Sequence, residues 1–271
     1  MADESAHRAP SGDLPERHLS GLTSDPSTEG TTSPTGSLTH DLQAIRWNAG
    51  METIHCAAIL FDLDGVLVDS GAAVERAWER WATRHGLEPA RVLAEAHGRR
   101  TTDTIRSLAP WLDVEAETRA LEEAETADTD GVVASAGAAA LLESLPAGSW
   151  AVATSGTRGL ATARLAAGGL PLPRVLVTAE DVEYGKPDPQ PYLAAAEALG
   201  VDPWACLVVE DVPAGIAAGK AAGATVLAVA TTFTAAGLED ADHLAPSLAA
   251  VSVRSVTDTG GQFALEVELE G

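Results

Sequence analysis

Five short runs of apolar residues recur along the chain, at positions 57–61, 150–153, 174–177, 206–209 and 225–229. None alternates apolar with polar positions, so each reads as a strand buried on both faces, the pattern of a parallel sheet. Alanine-rich segments with helical spacing, at 158–167, 189–199 and 214–222, separate the later runs. Strand and helix in alternation imply right-handed crossovers, which predicts an α/β chain built on a doubly wound parallel sheet. Ligands of such sheets sit beyond the carboxyl ends of the strands.

The interval between the first and second runs is too long for one crossover. It carries helical periodicities over 72–85, 88–96, 102–109 and 114–127, which predicts a helical module inserted just after the first strand as a lid over the strand ends. Trp78, Trp81 and Trp111 are expected in the core of that module. The carboxylates of its last helix (Glu115, Glu117, Glu122, Glu123 and Glu125) are expected on a solvated face. Residues 263–268 alternate like a terminal strand. The organisation that follows is a tail over 1–50, a core over 51–70 and 135–271, and a helical cap over 71–134.

Residues 1–50 are rich in Ser, Thr, Pro and Gly, with Ile45 as the one β-branched aliphatic. Such a segment buries too little surface to offset the entropy of ordering and is expected to be unstructured. It has neither the basic nor the apolar region of a signal peptide, and Asp3, Glu4, Asp13 and Glu16 argue against a transit peptide. Met51, just before the first strand, is an alternative translation start that N-terminal sequencing of the native protein tests.

The 271 residues include 40 acidic and 17 basic side chains, a formal net charge of −23. That charge repels nucleic acid and anionic membranes but leaves room for a small phosphorylated ligand in one locally positive pocket. Two cysteines, Cys56 and Cys206, make neither a disulfide scaffold nor a CxxC metal pattern. No apolar run approaches the 18 residues or so that cross a membrane. A cytoplasmic monomer is expected.

The chemistry gathers at the strand ends. The first strand runs into Asp62-Leu63-Asp64-Gly65, two carboxylates at i, i+2 that point the same way. Val66 stands where an EF-hand loop needs an oxygen donor, which excludes that calcium motif. The second strand ends in Thr154-Ser155-Gly156-Thr157, a hydroxyl and a flexible backbone ahead of a helix, suited to cradling phosphate. Lys186, one of two lysines in the chain, follows the third strand between Gly185 and Pro187. The fourth ends in Glu210-Asp211, costly in an apolar strand unless paired with charge or metal. Each feature alone has a plainer reading as a turn, an N-cap or a solvated loop; all four at successive strand ends do not.

With these motifs in this order the chain resembles the haloacid dehalogenase superfamily of phosphotransferases over residues 57–235. Within it the likeness is to the sugar- and polyol-phosphatase branch, which includes 2-deoxyglucose-6-phosphate phosphatases and glycerol-1-phosphatases. The closer likeness lies in His97-Gly98-Arg99-Arg100-Thr101, 150–158, 185–193, 208–223 and Ala230-Thr231-Thr232-Phe233. The resemblance implies a Rossmann-like core with an inserted α-helical cap and hydrolysis of a small phosphorylated sugar or polyol. It implies Asp62 as nucleophile, forming an aspartyl-phosphate, with Asp64 as general acid and base. Mg²⁺ is implied on Asp62, the Asp64 main-chain carbonyl and Asp211, with Glu210 acting through water. Thr154, Ser155 and Lys186 would hold the phosphoryl oxygens, and His97, Arg99 and Arg100 would reach the substrate from the cap. Asp64 argues against carbon–halogen chemistry, which lacks the second aspartate. Val74 and Thr101 stand where the related phosphosugar mutases carry histidine and arginine, which favours hydrolysis over mutase action. A phosphoglycolate-type phosphatase and a non-catalytic phosphosugar-binding regulator are compatible with the same motifs.

Overall fold

The computed structural model describes residues 52–258, 260 and 262–270. The expected unstructured tail over 1–50 lies outside them. The strand predicted at 57–61 forms over 58–61, and an unpredicted strand precedes it in a separate sheet. Glu52–Cys56 (β1) buries Ile54 and Cys56 while exposing Thr53 and His55, the alternation of a sheet covered on one face. After Ala57, Ala58–Phe61 (β2) is buried at every position, as an interior parallel strand requires.

Val68–Asp69 (β3) then leads into four helices, Gly71–Arg84 (α1), Pro89–Ala96 (α2), Thr101–Leu108 (α3) and Val114–Ala127 (α4). The chain returns through Val133–Ala134 (β4), which pairs antiparallel with β3, so departure and return share one two-stranded ribbon. This ribbon is too short to leave a periodic signal. Local chemistry starts the helices: Pro89 occupies the first turn of α2, where the Glu88 carboxylate accepts the Ala90 and Arg91 N–H groups, and Asp113 accepts the Ala116 N–H at α4. Trp78, Trp81, Val92, Ile105 and Leu121 form the helices' own core. Trp111 does not join it; in the turn between α3 and α4 it is 66% exposed.

Ala138–Ser144 (α5), a helix that the sequence pattern does not predict, comes next; Trp150–Ala153 (β5), Arg158–Ala167 (α6), Leu176–Val177 (β6), Gln190–Leu199 (α7), Cys206–Glu210 (β7), Pro213–Ala221 (α8) and Thr225–Val229 (β8) then follow in the predicted alternation. A further edge strand, His243–Ala245 (β9), extends the sheet. Its three residues carry no pattern visible in sequence. The six parallel strands lie in the order β6-β5-β2-β7-β8-β9, so the chain winds outward from β2 in both directions. Alternate residues of β2 feed opposite layers. Ile59 and Phe61 pack with Leu141, Leu142 and Leu165 of α5 and α6, whereas Ala58 and Leu60 pack with Tyr192, Ala195 and Ile216 of α7 and α8.

Val251–Asp258 (β10) and Phe263–Leu269 (β11) complete the description. β11 covers the alternating segment predicted as a terminal strand. It joins a separate antiparallel sheet, β1-β11-β10, because its alternation offers only one apolar face: Leu265, Val267 and Leu269 close the layer over α5.

Candidate active site

The crevice flanking β2, where the winding direction reverses, holds a buried charge cluster. Asp62 continues β2, its N–H donating to the Val209 carbonyl at 3.0 Å. Lys186, wholly buried, reaches in from the loop after β6. Its Nζ lies 2.6 Å from Asp62 Oδ1 and 2.7 Å from Glu210 Oε1. Glu210 is held on every side: the Tyr192 hydroxyl donates to Oε1 at 2.5 Å and the Asp211 N–H to Oε2 at 3.1 Å. Tyr192, on the buried face of α7, has no signal in sequence beyond an aromatic residue six positions after Lys186.

Burial raises the Asp62 carboxyl to about 7, overcoming the attraction of Lys186 and reinforced by Glu210. Burial works against the Lys186 ammonium, but Asp62 and Glu210 outweigh it and hold the proton on the amine. Asp211 is pushed far above the carboxylate range by burial and by the charges of Glu210 and Asp62. Both of its oxygens are buried without a hydrogen bond of good geometry, although the nearby Thr232 hydroxyl favours the ionised form.

Carboxylate oxygens of Asp62, Glu210 and Asp211 lie within 4.8 Å of one another. Hard oxygen donors around an orphaned buried carboxylate fit a hard divalent cation such as Mg²⁺. Asp211 presents the free donors, since the oxygens of Glu210 already serve Lys186, Tyr192 and a main-chain N–H.

Two glycines make this closeness possible. At Gly65, with φ of +81°, an added Cβ would fall 1.9 Å from Asp211 Oδ2. At Gly215 it would fall 1.8 Å from Glu210 Oε1. Gly215→Ala is therefore expected to displace Glu210 and lower stability by about 1–3 kcal/mol, the usual cost of overpacking. Thermal unfolding checks this; an unchanged midpoint would show that Glu210 is not held against the α8 backbone.

Asp64 lies in the turn beyond Asp62. The Ser70 hydroxyl donates to its Oδ1 at 2.7 Å, and Arg164 Nη1 lies 2.5 Å from Oδ2. Arg164 Nη2 lies 3.1 Å from Glu125 Oε1. Glu125 thus departs from the solvated face expected for α4: it is buried, as is Arg164. Both sit on the apolar stripe of their own helix, Glu125 four residues after Leu121 and Arg164 four after Leu160. That spacing was the available signal.

Burial raises the Glu125 carboxyl from an ordinary 4.5 to about 7 against the pull of Arg164. An acid that titrates higher when folded holds more protons in the native state between those values, so it subtracts stability as pH rises from about 4.5 to about 7. Denaturant unfolding of metal-free protein across that range is expected to show a shallower decline for Glu125→Gln than for wild type. Equal slopes would remove Glu125 as the source.

The predicted phosphate-holding and cap residues divide. Thr154 and Ser155 directly follow β5 and line a cavity of about 880 Å³ that also reaches Asp62, Asp64 and Asp211. The Thr154 hydroxyl accepts the Gly156 N–H at 3.1 Å, and the Ser155 hydroxyl donates to the Gly98 carbonyl at 2.8 Å, joining β5 to the loop between α2 and α3. His97 lines the cavity with Nδ1 2.6 Å from the Leu93 carbonyl. Arg99 lines it too, with its buried Nε unpartnered. Val74 and Thr101 complete this wall beside Trp78.

Arg100, in contrast to the expectation, is not among the lining residues. Its Nε lies 2.7 Å from Asp103 Oδ2, and Nη1 donates to the Glu183 carbonyl at 2.9 Å. Asp103, three residues on in α3, and the carbonyls ahead of Lys186 capture the guanidinium. An added Cβ at Gly185 would strike it at 2.7 Å.

Residues 56–223 match the family described as haloacid dehalogenase-like hydrolase. Hexitol phosphatase A of Escherichia coli (strain K12) is 45% identical over 205 residues, spanning 74% of this chain and 95% of that protein. Glycerol-1-phosphate phosphohydrolase 2 of Saccharomyces cerevisiae (strain ATCC 204508 / S288c) is 39% identical over 191 residues, 65% of this chain and 75% of that one. The crystal structure of a hydrolase from Pseudomonas syringae superposes with a TM-score of 0.65 at 28% identity, covering 71% of this chain and 94% of that one.

Proposed function

The chain belongs to the haloacid dehalogenase-like hydrolase family and is a phosphoric monoester hydrolase; from this premise we propose that it hydrolyses small sugar or polyol phosphates through an aspartyl-phosphate on Asp62. The observation that carries the reading is the buried Lys186 ammonium bridging Asp62 and Glu210 beside Asp211, with Asp62 and Asp211 opening onto the cavity of about 880 Å³.

Asp62 attacks phosphorus; the phosphorus–oxygen ester bond breaks as Asp64 gives its proton to the departing alcohol oxygen. Asp64 then takes a proton from the water that attacks the phosphorylated Asp62, releasing inorganic phosphate and restoring the carboxylate. Lys186 holds Asp62 in line and opposes the charge gathering on the phosphoryl group. Thr154 and Ser155 receive the phosphoryl oxygens. Asp62, Asp211 and the Asp64 main-chain carbonyl would hold Mg²⁺, with Glu210 acting through water, and the bound ion would supply positive charge against the phosphoryl oxygens.

Residues 71–134 act as the cap, with His97 and Arg99 presented to the substrate. Val74 puts an aliphatic group where a mutase needs histidine, which supports transfer of the phosphoryl group to water. No described helix is long and apolar enough to cross a membrane. The reading further takes the enzyme to be a cytoplasmic monomer.

The test is phosphate release from hexitol, glycerol and deoxyhexose phosphates with Mg²⁺ or EDTA. Selective turnover, lost in EDTA and restored by Mg²⁺, is expected. No release by folded, Mg²⁺-loaded protein would overturn the proposal in favour of a binding protein.

A further inference from the structure

An arginine 4% exposed, between two carboxylates from distant parts of the chain, is the feature of this cavity that the reaction scheme leaves unused. A helical arginine ordinarily sends its guanidinium to solvent. Burial of Arg164 against Asp64 and Glu125 carries a desolvation cost that only close geometry offsets. The geometry is close. Nη1 meets Asp64 at 2.5 Å and Nη2 meets Glu125 at 3.1 Å, so one planar guanidinium sets the spacing between the two carboxylates. Ser70 occupies the other oxygen of Asp64 at 2.7 Å. Both oxygens of Asp64 are therefore held, each keeping a lone-pair direction for a proton. The three anchors are Ser70 just before α1, Arg164 on α6 and, through Arg164, Glu125 in the last turn of α4.

We propose that Arg164 is a positioning residue for Asp64: braced by Glu125, it aims the carboxyl that protonates the leaving oxygen. The proposal rests on the phosphatase reading. A proton donor misaimed by an ångström loses much of its advantage, whereas a nucleophile held separately by Lys186 keeps its own. The effect of Arg164 thus depends on how much the leaving group needs a proton. An alkoxide departing from a polyol phosphate needs one; p-nitrophenolate does not.

The experiment compares kcat/KM, which reports phosphoryl transfer to Asp62, for glycerol phosphate and p-nitrophenyl phosphate in wild type, Arg164→Lys and Glu125→Gln. Lysine keeps the charge but cannot span both carboxylates; Glu125→Gln keeps the shape and weakens the brace. Arg164→Lys is expected to lose about 10- to 100-fold more on the alkyl than on the aryl ester, a share of the usual general-acid contribution. Glu125→Gln is expected to lose in the same direction by less. Equal losses on both esters, or no loss, would overturn the proposal. Failure of both variants to fold, seen by circular dichroism and thermal unfolding, would make the cluster a structural brace and also overturn it. Wild-type protein inert toward glycerol phosphate and toward every other alkyl phosphate would instead sink the phosphatase reading, and the proposal with it.

Discussion

Asp62→Asn is expected to lower phosphate release by about 10⁴-fold or more, because the amide has the shape of the carboxylate without its nucleophilic charge. The same change is expected to leave metal-free protein as stable as wild type, or more so, above neutral pH. Burial raises the Asp62 carboxyl to about 7, so its ionised form is disfavoured in the folded state relative to the unfolded chain. An acid shifted upward removes stability as pH rises toward that value, and asparagine abolishes this contribution. Lys186 keeps Glu210 as its partner, so no ammonium is stranded. Phosphate release and thermal unfolding in EDTA at pH 8 check both halves. Residual turnover within tenfold of wild type would remove Asp62 as nucleophile, and a steep loss of stability would mean that its ion pair outweighs its burial.

Lys186→Met is expected to do the opposite to stability while also abolishing useful turnover. The ammonium is the cation within bonding distance of both Asp62 and Glu210, and Asp211 lies against the same cluster. Removing one partner of a buried pair typically costs about 3–5 kcal/mol, since the charges left behind cannot return to water. Loss of a preorganised charge aimed at the reacting group adds about 10²–10³ in rate. The variant is expected to regain part of its stability as pH falls, because the stranded carboxylates then bind protons that the unfolded chain does not hold. Unfolding midpoints from pH 5 to 8, with and without Mg²⁺, test this. A variant as stable as wild type at pH 8 would show that the lysine is dispensable to the buried cluster.

The two variants separate parts of the site that differ in how visible they are in sequence. Asp62, Glu210 and Asp211 are legible because each stands at the end of an apolar strand, where a charge stands out, and Lys186 because it is one of two lysines in the chain. The partners that hold them are less legible. Tyr192 is buried among alanines on α7, and nothing in its local pattern says that its hydroxyl meets Glu210. Arg164 and Glu125 occupy apolar stripes, yet an isolated charge on such a stripe is equally at home at a helix edge. Only the meeting of α4 with α6 makes them partners. Arg100 is the converse case: its place beside His97 and Arg99 points to the substrate, but Asp103 and the main chain ahead of Lys186 claim it.

Sequence alone determined the parallel sheet, its strand-end chemistry and the helical insertion, because each rests on local periodicity or on residue type at an element's end. A strand buried on both faces is apolar throughout wherever it sits, and an i, i+2 carboxylate pair keeps its direction regardless of context. Tertiary structure decided what local pattern cannot encode: the extra strand β1 and the separate sheet in which it pairs with β11, the β3–β4 ribbon, and the partners of each buried charge. These depend on segments far apart in the chain, as with Asp64, Glu125 and Arg164. A buried ion must find its counter-ion across whatever surface folding brings to it, and that surface is a property of the packed chain.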